Sequence, residues 1–137
     1  MDTITPRERS RIMSLVKAKD TRPELFVRRL VHRLGFRYRL HVRSLRGCPD
    51  LVFVARRKII FVSGCFWHRH ACGKGQRLPK SRVNFWKNKL DANRDRDVRN
   101  LRALRRQGWK VLVVWECQTK SADRLAARLR LFLRDSR

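Results

Sequence analysis

Three short, continuous apolar runs limit most strongly how this chain can fold. They span residues 50–54, 59–62 and 109–117. Uninterrupted runs of this length are typical of strands that are buried on both faces of a sheet. Amphipathic helical patterns surround them at residues 21–34, 82–107 and 121–133. This order predicts an α/β fold: a single domain over residues 1–137, with a mixed central sheet flanked by helices.

Weaker patterns complete the predicted fold. Residues 36–42 alternate apolar with basic side chains, which predicts a half-exposed strand with His41 on its outer face. Thr21 and Glu24 have the spacing of a capping box, so helix capping alone could explain Glu24. We expect a hairpin around residues 56–57 and a break in the long helix near Asn93. A short basic helix is expected at residues 6–18.

The charge of the chain narrows the class of partner. There are 36 Lys and Arg residues against 11 Asp and Glu, a net charge of +25. Such a surface attracts polyanions, and duplex DNA is the strongest natural match. No apolar stretch approaches the about 20 residues that cross a bilayer, and the N-terminus lacks a signal-peptide pattern. The expected location is the cytoplasm, where cysteines favour metal binding or free thiols over disulfides.

Three of the four cysteines and one histidine have the residue types of a zinc site. Cys65, His70 and Cys72 are closely spaced, and Cys117 follows the last predicted strand. If that strand neighbours the one at residues 59–62, the four ligands meet at one edge of the sheet and complete a tetrahedral zinc site. The alternative is that the cysteines are ordinary buried residues and the histidines contact phosphate. Cys48 is interpreted as a structural thiol.

Two further side chains could carry chemistry at that edge. Asp50 opens a buried strand, where a carboxylate needs an arginine partner, a backbone cap or a divalent ion such as Mg²⁺. His68 could be another zinc ligand, a solvated side chain, or a general base close to a phosphate. For Asp95 and Asp97 the simplest explanation is charge alternation on a solvated helix.

Several aromatic residues accompany the basic ones. Phe66, Trp67 and Trp86 are of the kind that nucleic-acid-binding proteins use as wedges between bases. Core packing is the commoner role of such residues, and we expect it for Phe85.

Five stretches together resemble the very short patch repair DNA mismatch endonucleases. They read ERSRIMSLVKAKDTRPE, FRYRLHVRSLRGCPDLVF, FVSGCFWHRH, PKSRVNFWKNKLDANRDRD and GWKVLVVWEC, and they cover nearly everything from Glu8 to Cys117. The resemblance implies a fold similar to the type II restriction endonucleases, with a structural zinc ion. It also implies Mg²⁺-dependent cleavage of one DNA strand, 5′ to a thymine mispaired with guanine. Such mismatches arise when 5-methylcytosine deaminates, and the nick begins their repair.

The resemblance also implies roles for individual residues. Asp50 would be the catalytic aspartate that binds Mg²⁺, with the backbone carbonyl of Val62 as a second contact. His68 would be the catalytic histidine, acting through a water. Glu24 and Asp97 would lie beside the active site and orient the histidine or a metal-bound water. The implied zinc ligands are Cys65, His70, Cys72 and Cys117, and the implied duplex-inserting aromatics are Phe66, Trp67 and Trp86.

The partners and rival functions follow from the same comparison. Expected partners are double-stranded DNA with a T·G mismatch and, functionally, a DNA cytosine-5 methyltransferase with a repair polymerase and ligase. The protein would act as a monomer at the bacterial nucleoid, with residues 1–20 as a basic arm on the DNA. Ser63 stands where the family box commonly has histidine, so cleavage is expected to be weaker or differently tuned. The alternatives are a non-cleaving, zinc-containing DNA-binding relative and a restriction-like nuclease acting on unmodified duplex.

Overall fold

A computed structural model describes residues 20–68 and 70–134, with only the backbone of Lys74. These residues form a four-stranded sheet in the order β1-β2-β3-β4. The strands are β1 (Arg39–Leu40), β2 (Leu51–Phe53), β3 (Lys58–Ser63) and β4 (Lys110–Trp115). The helices are α1 (Arg22–Arg33), α2 (Gly73–Gln76), α3 (Val83–Arg106) and α4 (Ala122–Arg134). Short 3₁₀ turns, Val54–Arg56 and Glu116–Lys120, follow β2 and β4.

The sheet is mixed, as the sequence predicts. Strands β1, β2 and β3 pair antiparallel, whereas β4 pairs parallel to β3. A parallel pair needs a long crossover connection, which α3 and the loop before it provide. The mixed sheet with its flanking helices confirms the predicted restriction-endonuclease-like α/β fold.

The apolar runs are uninterrupted because both faces of the sheet are covered. One face packs against α1 and α4 through Leu51, Phe53, Ile60, Val114, Val27, Leu30, Val31, Leu125, Leu129 and Leu133. The other face packs mainly against α3 and the turn after it, through Val52, Ile59, Leu104 and Trp109. Burying a side chain of this size stabilises the fold by about 1.5–3 kcal/mol. The sheet is therefore a rigid platform for the residues at its ends.

Two cations of the β2–β3 hairpin anchor the C-terminus of α4. The fully buried Lys58 donates from Nζ to the carbonyl of Phe132 at 2.5 Å, and Arg56 donates to the carbonyl of Leu133 at 2.9 Å. The last carbonyls of a helix lack partners within the helix and carry partial negative charge. The two cations satisfy those carbonyls, which offsets the cost of burying a lysine.

Two local predictions are wrong or only partly right. The strand expected at residues 36–42 is reduced to Arg39–Leu40, because His41 takes a left-handed conformation (φ +46°) that ends it. Helix α3 continues past Asn93 without a break, and the Asn93 side chain donates to the Trp67 carbonyl outside the helix. Asparagine is a weak helix former because its side chain competes for the hydrogen bonds of the nearby backbone. Here the side chain is bound to a carbonyl outside the helix, so this competition is absent.

The helix expected at residues 6–18 lies outside the described residues. Among the residues that are described, no helix is both long and apolar enough to pass through a bilayer.

Candidate active site and metal centre

A cleft of about 970 Å³ brings together most of the predicted site residues. Its walls come from the start of α1, the loop before β2, the end of β3 and one face of α3. Four of the acidic residues in this very basic chain line it: Glu24, Asp50, Asp97 and Glu116. Two histidines, His41 and His68, and the predicted wedge residues Phe66 and Trp67 line it as well.

Asp50 lies immediately before β2, with a carboxyl group held against the backbone of β3. Its Oδ2 accepts a hydrogen bond from the Val62 N–H at 2.7 Å. Burial raises the pKa of Asp50 to about 7, the Val62 N–H opposes this rise, and the nearby Glu24 carboxylate adds to it. Within the described residues, the basic side chain beside Asp50 is His41, whose Nε2 lies 3.9 Å from Asp50 Oδ1, and not an arginine.

The raised pKa bears on what Asp50 can bind. A buried carboxylate without a strong cationic partner is poorly stabilised as an anion, and a divalent cation would supply the missing positive charge. The surroundings of Asp50 therefore suit Mg²⁺ better than the arginine partner considered as the alternative.

Glu24 has a larger role than helix capping. Thr21 caps α1 by accepting from the Glu24 N–H at 3.4 Å, which confirms half of the predicted capping box. The Glu24 carboxylate, only 3% exposed, accepts from the Asp20 N–H at 2.9 Å and from Arg28 at 3.1 Å. Arg28 compensates the buried negative charge, so Glu24 forms a fixed part of the cleft wall beside Asp50.

His68 and Asp97 form a hydrogen-bonded pair across the cleft. Nδ1 of His68 contacts Oδ2 of Asp97, and both side chains are partly exposed. A carboxylate on one ring nitrogen fixes the tautomer and leaves the other nitrogen to exchange a proton. Asp95, in contrast, lies beside Arg94 with 62% of its side chain exposed. Charge alternation on a solvated helix therefore describes Asp95 but not Asp97.

The predicted zinc ligands form a compact cluster at the neighbouring ends of β3 and β4. The ligand atoms of Cys65, His70, Cys72 and Cys117 all lie within 4.8 Å of one another. The last residue pair of the two strands is Ser63 with Trp115, so Cys65 and Cys117 each follow it by two residues. The parallel register alone brings these two thiols together.

The cluster has the donor set and spacing of a zinc site. His70 Nδ1 lies 3.7 Å from Cys65 Sγ and 3.5 Å from Cys117 Sγ. Tetrahedral zinc with Zn–S of about 2.3 Å and Zn–N of about 2.05 Å would hold sulfur and nitrogen about 3.6 Å apart. His70 also stacks on Trp115 with ring centroids 4.2 Å apart. The residues present therefore fit zinc, which would be held by three thiolates and one imidazole.

The surroundings of the cluster shift the pKa values of two of its thiols in opposite directions. The Gly75 N–H and the His70 side chain lower the pKa of Cys72 to about 6, whereas burial raises the pKa of Cys65 to about 12. Binding of a metal ion at Cys65 would therefore displace a proton. A Cβ atom at Gly75 would overlap the backbone of His70, so this tight loop requires glycine there.

The three predicted wedge residues form one aromatic cluster. Ring centroids of Phe66 and Trp67 lie 5.0 Å apart, and Trp86 lies 6.1 Å and 6.0 Å from them. Trp86 is only 7% exposed, whereas Phe66 and Trp67 are partly exposed. The expectation that Phe85 packs in the core is wrong, because it is 40% exposed beside Trp86. Trp86, which the resemblance implies as a third duplex-inserting residue, is buried in the free protein and packs against the other two rings.

Sequence reasoning missed three residues of the site. His41 was expected on the outer face of its strand but lies in the cleft between Glu24 and Asp50. The β1–β2 register accounts for this position of His41. Leu40 pairs with Leu51, so the next residue of the chain, His41, lies across from Asp50. Glu116 accepts from the Cys65 N–H at 3.3 Å and thereby holds the start of the loop. Arg28, the partner of Glu24, could have been found from its position one helical turn further on.

A mixed sheet with carboxylates and a histidine gathered in a cleft at its end agrees with the predicted restriction-endonuclease-like class. The family model described as DNA mismatch endonuclease Vsr matches residues 1–74. The type II nicking enzyme V.XorIIP of Xanthomonas oryzae pv. oryzae is 50% identical, over 96% of this chain and 96% of that protein. DNA mismatch endonuclease Vsr of Escherichia coli is 38% identical, over 85% of this chain and 74% of that protein.

The chain therefore belongs to the Vsr family of DNA mismatch endonucleases. It is a nicking DNA endonuclease of mismatch repair, which confirms the resemblance found in the sequence.

Replacing Cys117 with serine is expected to abolish zinc binding by the purified protein. Serine is a poor zinc ligand, and the remaining three donors would leave the tetrahedron incomplete. Because a structural zinc site contributes directly to folding free energy, the variant should also unfold at a lower temperature. Zinc content by plasma mass spectrometry and thermal unfolding by circular dichroism measure both effects.

The matched control is Cys48→Ser. Cys48 is an exposed thiol outside the cluster, so zinc content and unfolding temperature should stay at the parental values. Equal zinc content in the two variants would contradict the assignment.

Replacing Asp50 with asparagine is expected to stabilise the ion-free protein at high pH but not at low pH. Asparagine still accepts the Val62 hydrogen bond but carries no charge. Because the pKa of Asp50 rises from 3.8 to about 7 on folding, the parent loses stability as the pH rises through that interval. The variant should equal the parent near pH 4 and exceed it near pH 8 by on the order of a few kcal/mol.

Urea unfolding across that pH range, with a chelator of divalent ions present, measures the difference. Asp95→Asn, on the exposed face of α3, serves as the control that should show no such trend. A difference between parent and Asp50→Asn that does not change with pH would show that Asp50 has an ordinary pKa.

Proposed function

We propose that this protein is a Mg²⁺-dependent endonuclease that nicks duplex DNA 5′ to the thymine of a T·G mismatch. Such a nick would initiate very short patch repair of deaminated 5-methylcytosine. The observation that carries the proposal is one shared cleft. The Asp50 carboxyl group, which is largely buried, the His68–Asp97 pair and the aromatic tips Phe66 and Trp67 all line it.

Asp50 and the backbone carbonyl of Val62 would hold the magnesium ion. When bound, the ion supplies Lewis-acid stabilisation of charge on the scissile phosphate. Asp50 suits this role because it is buried, fixed by the Val62 N–H, and without an arginine partner among the described residues. The Glu24 carboxylate would form the wall of the cleft beside Asp50, where hydrogen bonds from the Asp20 N–H and from Arg28 hold it in place.

His68 would act as the general base. With Asp97 on Nδ1, its Nε2 can take a proton from the water that attacks phosphorus. Asp97 then stabilises the imidazolium that forms and keeps the ring oriented. Because both side chains are partly exposed, a water molecule and DNA can reach the pair.

The aromatic cluster would select the mismatch. Phe66 and Trp67 project from the loop that the zinc cluster would fix, and the buried Trp86 supports them. Unstacking a base step costs a few kcal/mol, and less where the base pair is already weakened. Insertion at a T·G pair is therefore cheaper than insertion into matched DNA, which gives the wedge a physical basis for discrimination.

The rest of the chain would supply binding energy. The net charge of +25 favours the phosphate backbone through counterion release. We propose that residues 1–137 form one mismatch endonuclease domain, that residues 1–20 act as a basic arm on the DNA, and that the protein works as a monomer. Its functional partners would be a DNA cytosine-5 methyltransferase, which creates the lesion-prone base, and a repair polymerase and ligase at the bacterial nucleoid.

The parent protein is expected to nick an end-labelled duplex that contains one T·G mismatch when Mg²⁺ is added. The cut should fall close to the mismatch, because His68 and Asp50 line the same cleft as the wedge residues. Its position 5′ to the mispaired thymine is what the resemblance to the family implies. Asp50→Ala should bind the duplex but lose at least about 100-fold in single-turnover rate, since it lacks the carboxylate for the metal.

The control substrate is the same duplex with a matched T·A pair, tested in several flanking sequences. Cleavage of matched duplex at the same rate would instead support a restriction-like nuclease. Binding without any cut in every flank would support a non-cleaving relative. Ser63→His would then be the substitution to test. Ser63 is 9% exposed at the end of β3, at the position where the family box commonly has histidine.

Asp97→Asn is expected to slow the chemical step about 10- to 1,000-fold without weakening DNA binding. Asparagine can still hydrogen-bond the ring, but it cannot stabilise the imidazolium or enforce the tautomer. Single-turnover nicking at saturating protein isolates the chemical step, and fluorescence anisotropy of labelled duplex measures binding.

Asp95→Asn makes the same charge change two residues earlier on the exposed face of α3 and should leave the rate near the parental value. In a His68→Ala background, Asp97→Asn should have no further effect, because Asp97 acts through the histidine. Additive losses would contradict the pairing.

A further inference from the structure

A histidine that the proposed mechanism does not use lies between the two buried carboxyl groups of the cleft. His41 Nε2 is 3.0 Å from Glu24 Oε2 and 3.9 Å from Asp50 Oδ1. Its backbone N–H donates to the Asp50 carbonyl at 3.2 Å. His41 is therefore linked to Asp50 by both its backbone and its ring, and to Glu24 by its ring.

The backbone of His41 takes the conformation that this placement needs. Its φ of +46° lies in the left-handed region, which residues other than glycine seldom occupy. Such conformations persist where the surroundings hold them, and they cluster at functional sites. Continued alternation along β1 would point the ring to the outer face of the sheet. The left-handed residue instead ends the strand, and the ring lies in the cleft.

The other groups around Glu24 already have defined partners. Arg28 Nη2 lies 2.6 Å from Asp20 and 3.1 Å from Glu24, and it has no recorded contact with Asp50. Among the residues that the structure describes, His41 is the side chain that lies beside both carboxyl groups. Two adjacent carboxylates repel each other, and an imidazole that hydrogen-bonds Glu24 and lies 3.9 Å from Asp50 Oδ1 offsets that repulsion.

Resting on the proposed function, we propose that His41 is a positioning residue: its Nε2 holds Glu24 and Asp50 in the arrangement that receives the divalent cation. It contacts neither the DNA nor the cation in this role. Groups that orient metal-binding carboxylates typically contribute about 10- to 100-fold to metal affinity or activity. The proposal thus concerns metal binding and not the stability of the fold.

Two substitutions separate the ring from the strained backbone. His41→Gly removes the ring and relieves the left-handed strain, so the fold should be as stable as the parent or more stable. His41→Gln keeps the strain but places an amide nitrogen the same number of bonds from the backbone as Nε2. A positioning role of the ring predicts that the glycine variant is impaired and the glutamine variant is rescued. A role of the backbone alone predicts that the glycine variant behaves like the parent, because glycine takes the left-handed conformation readily.

The measurements are the Mg²⁺ concentration for half-maximal nicking of the T·G duplex, DNA affinity in a metal chelator, and thermal unfolding. Mn²⁺ binding provides a readout that does not need catalysis. The loss of the free-ion electron paramagnetic resonance signal would be followed for the complex with matched T·A duplex, with Asp50→Ala as the blank for sites on the DNA.

We expect His41→Gly to weaken Mg²⁺ dependence and Mn²⁺ binding about 10- to 100-fold with DNA affinity unchanged, and His41→Gln to stay within about threefold of the parent. Parental metal dependence in His41→Gly, or equal impairment of both variants, would overturn the proposal. A parent that binds Mn²⁺ but does not nick would instead refute the proposed function, while the Mn²⁺ comparison would still decide the role of His41.

Discussion

The parallel pairing of β3 with β4 is the interaction on which the rest of the described structure depends. Its register sets Cys65 and Cys117 at the same distance beyond the two strands, which brings their thiols into one cluster. The segment that leaves β3 through this cluster carries the aromatic tips and His68. The same strand offers the backbone N–H that fixes the Asp50 carboxyl group. A shift of one residue in this register would separate the cysteines and move the cleft residues to the wrong face.

Helix α3 is the second support of the site, because it is continuous from Val83 to Arg106. Residues three and four apart share one face of a helix, and along this face Trp86, Asn93 and Asp97 meet the loop after β3. They support the aromatic tips, bind the Trp67 carbonyl and hold the His68 ring. A break near Asn93 would have rotated Trp86 away from Asp97. One rigid helix therefore positions the predicted wedge and the predicted base together, which links mismatch insertion to the placement of the histidine.

The distribution of charge in the molecule is uneven in a way that suits a DNA enzyme. A net charge of +25 draws the phosphate backbone to the protein, but a uniformly basic cleft would have no ligand for a divalent cation. Glu24, Asp50, Asp97 and Glu116 provide the negative charge where the chemistry would occur. Burial and a like-charged neighbour keep the pKa of Asp50 near 7 in the absence of metal, so cation binding and ionisation of this group favour each other.

The sequence by itself determined the buried strands, the α/β class and the family, because these depend on local periodicity and on the residue types of successive motifs. It also predicted the zinc-type ligand set, although Cys117 is far from the other three ligands in the sequence. It also indicated Asp50 and His68, since an acid or an imidazole at a strand end has few structural explanations. Only the tertiary structure decided which residues surround them. Asp97 became the partner of His68, Trp86 was buried while Phe85 was exposed, and His41 turned into the cleft. These outcomes depend on strand register, on helix rotation and on one left-handed residue, which set distances between positions far apart in the chain and leave no periodic signal in the sequence.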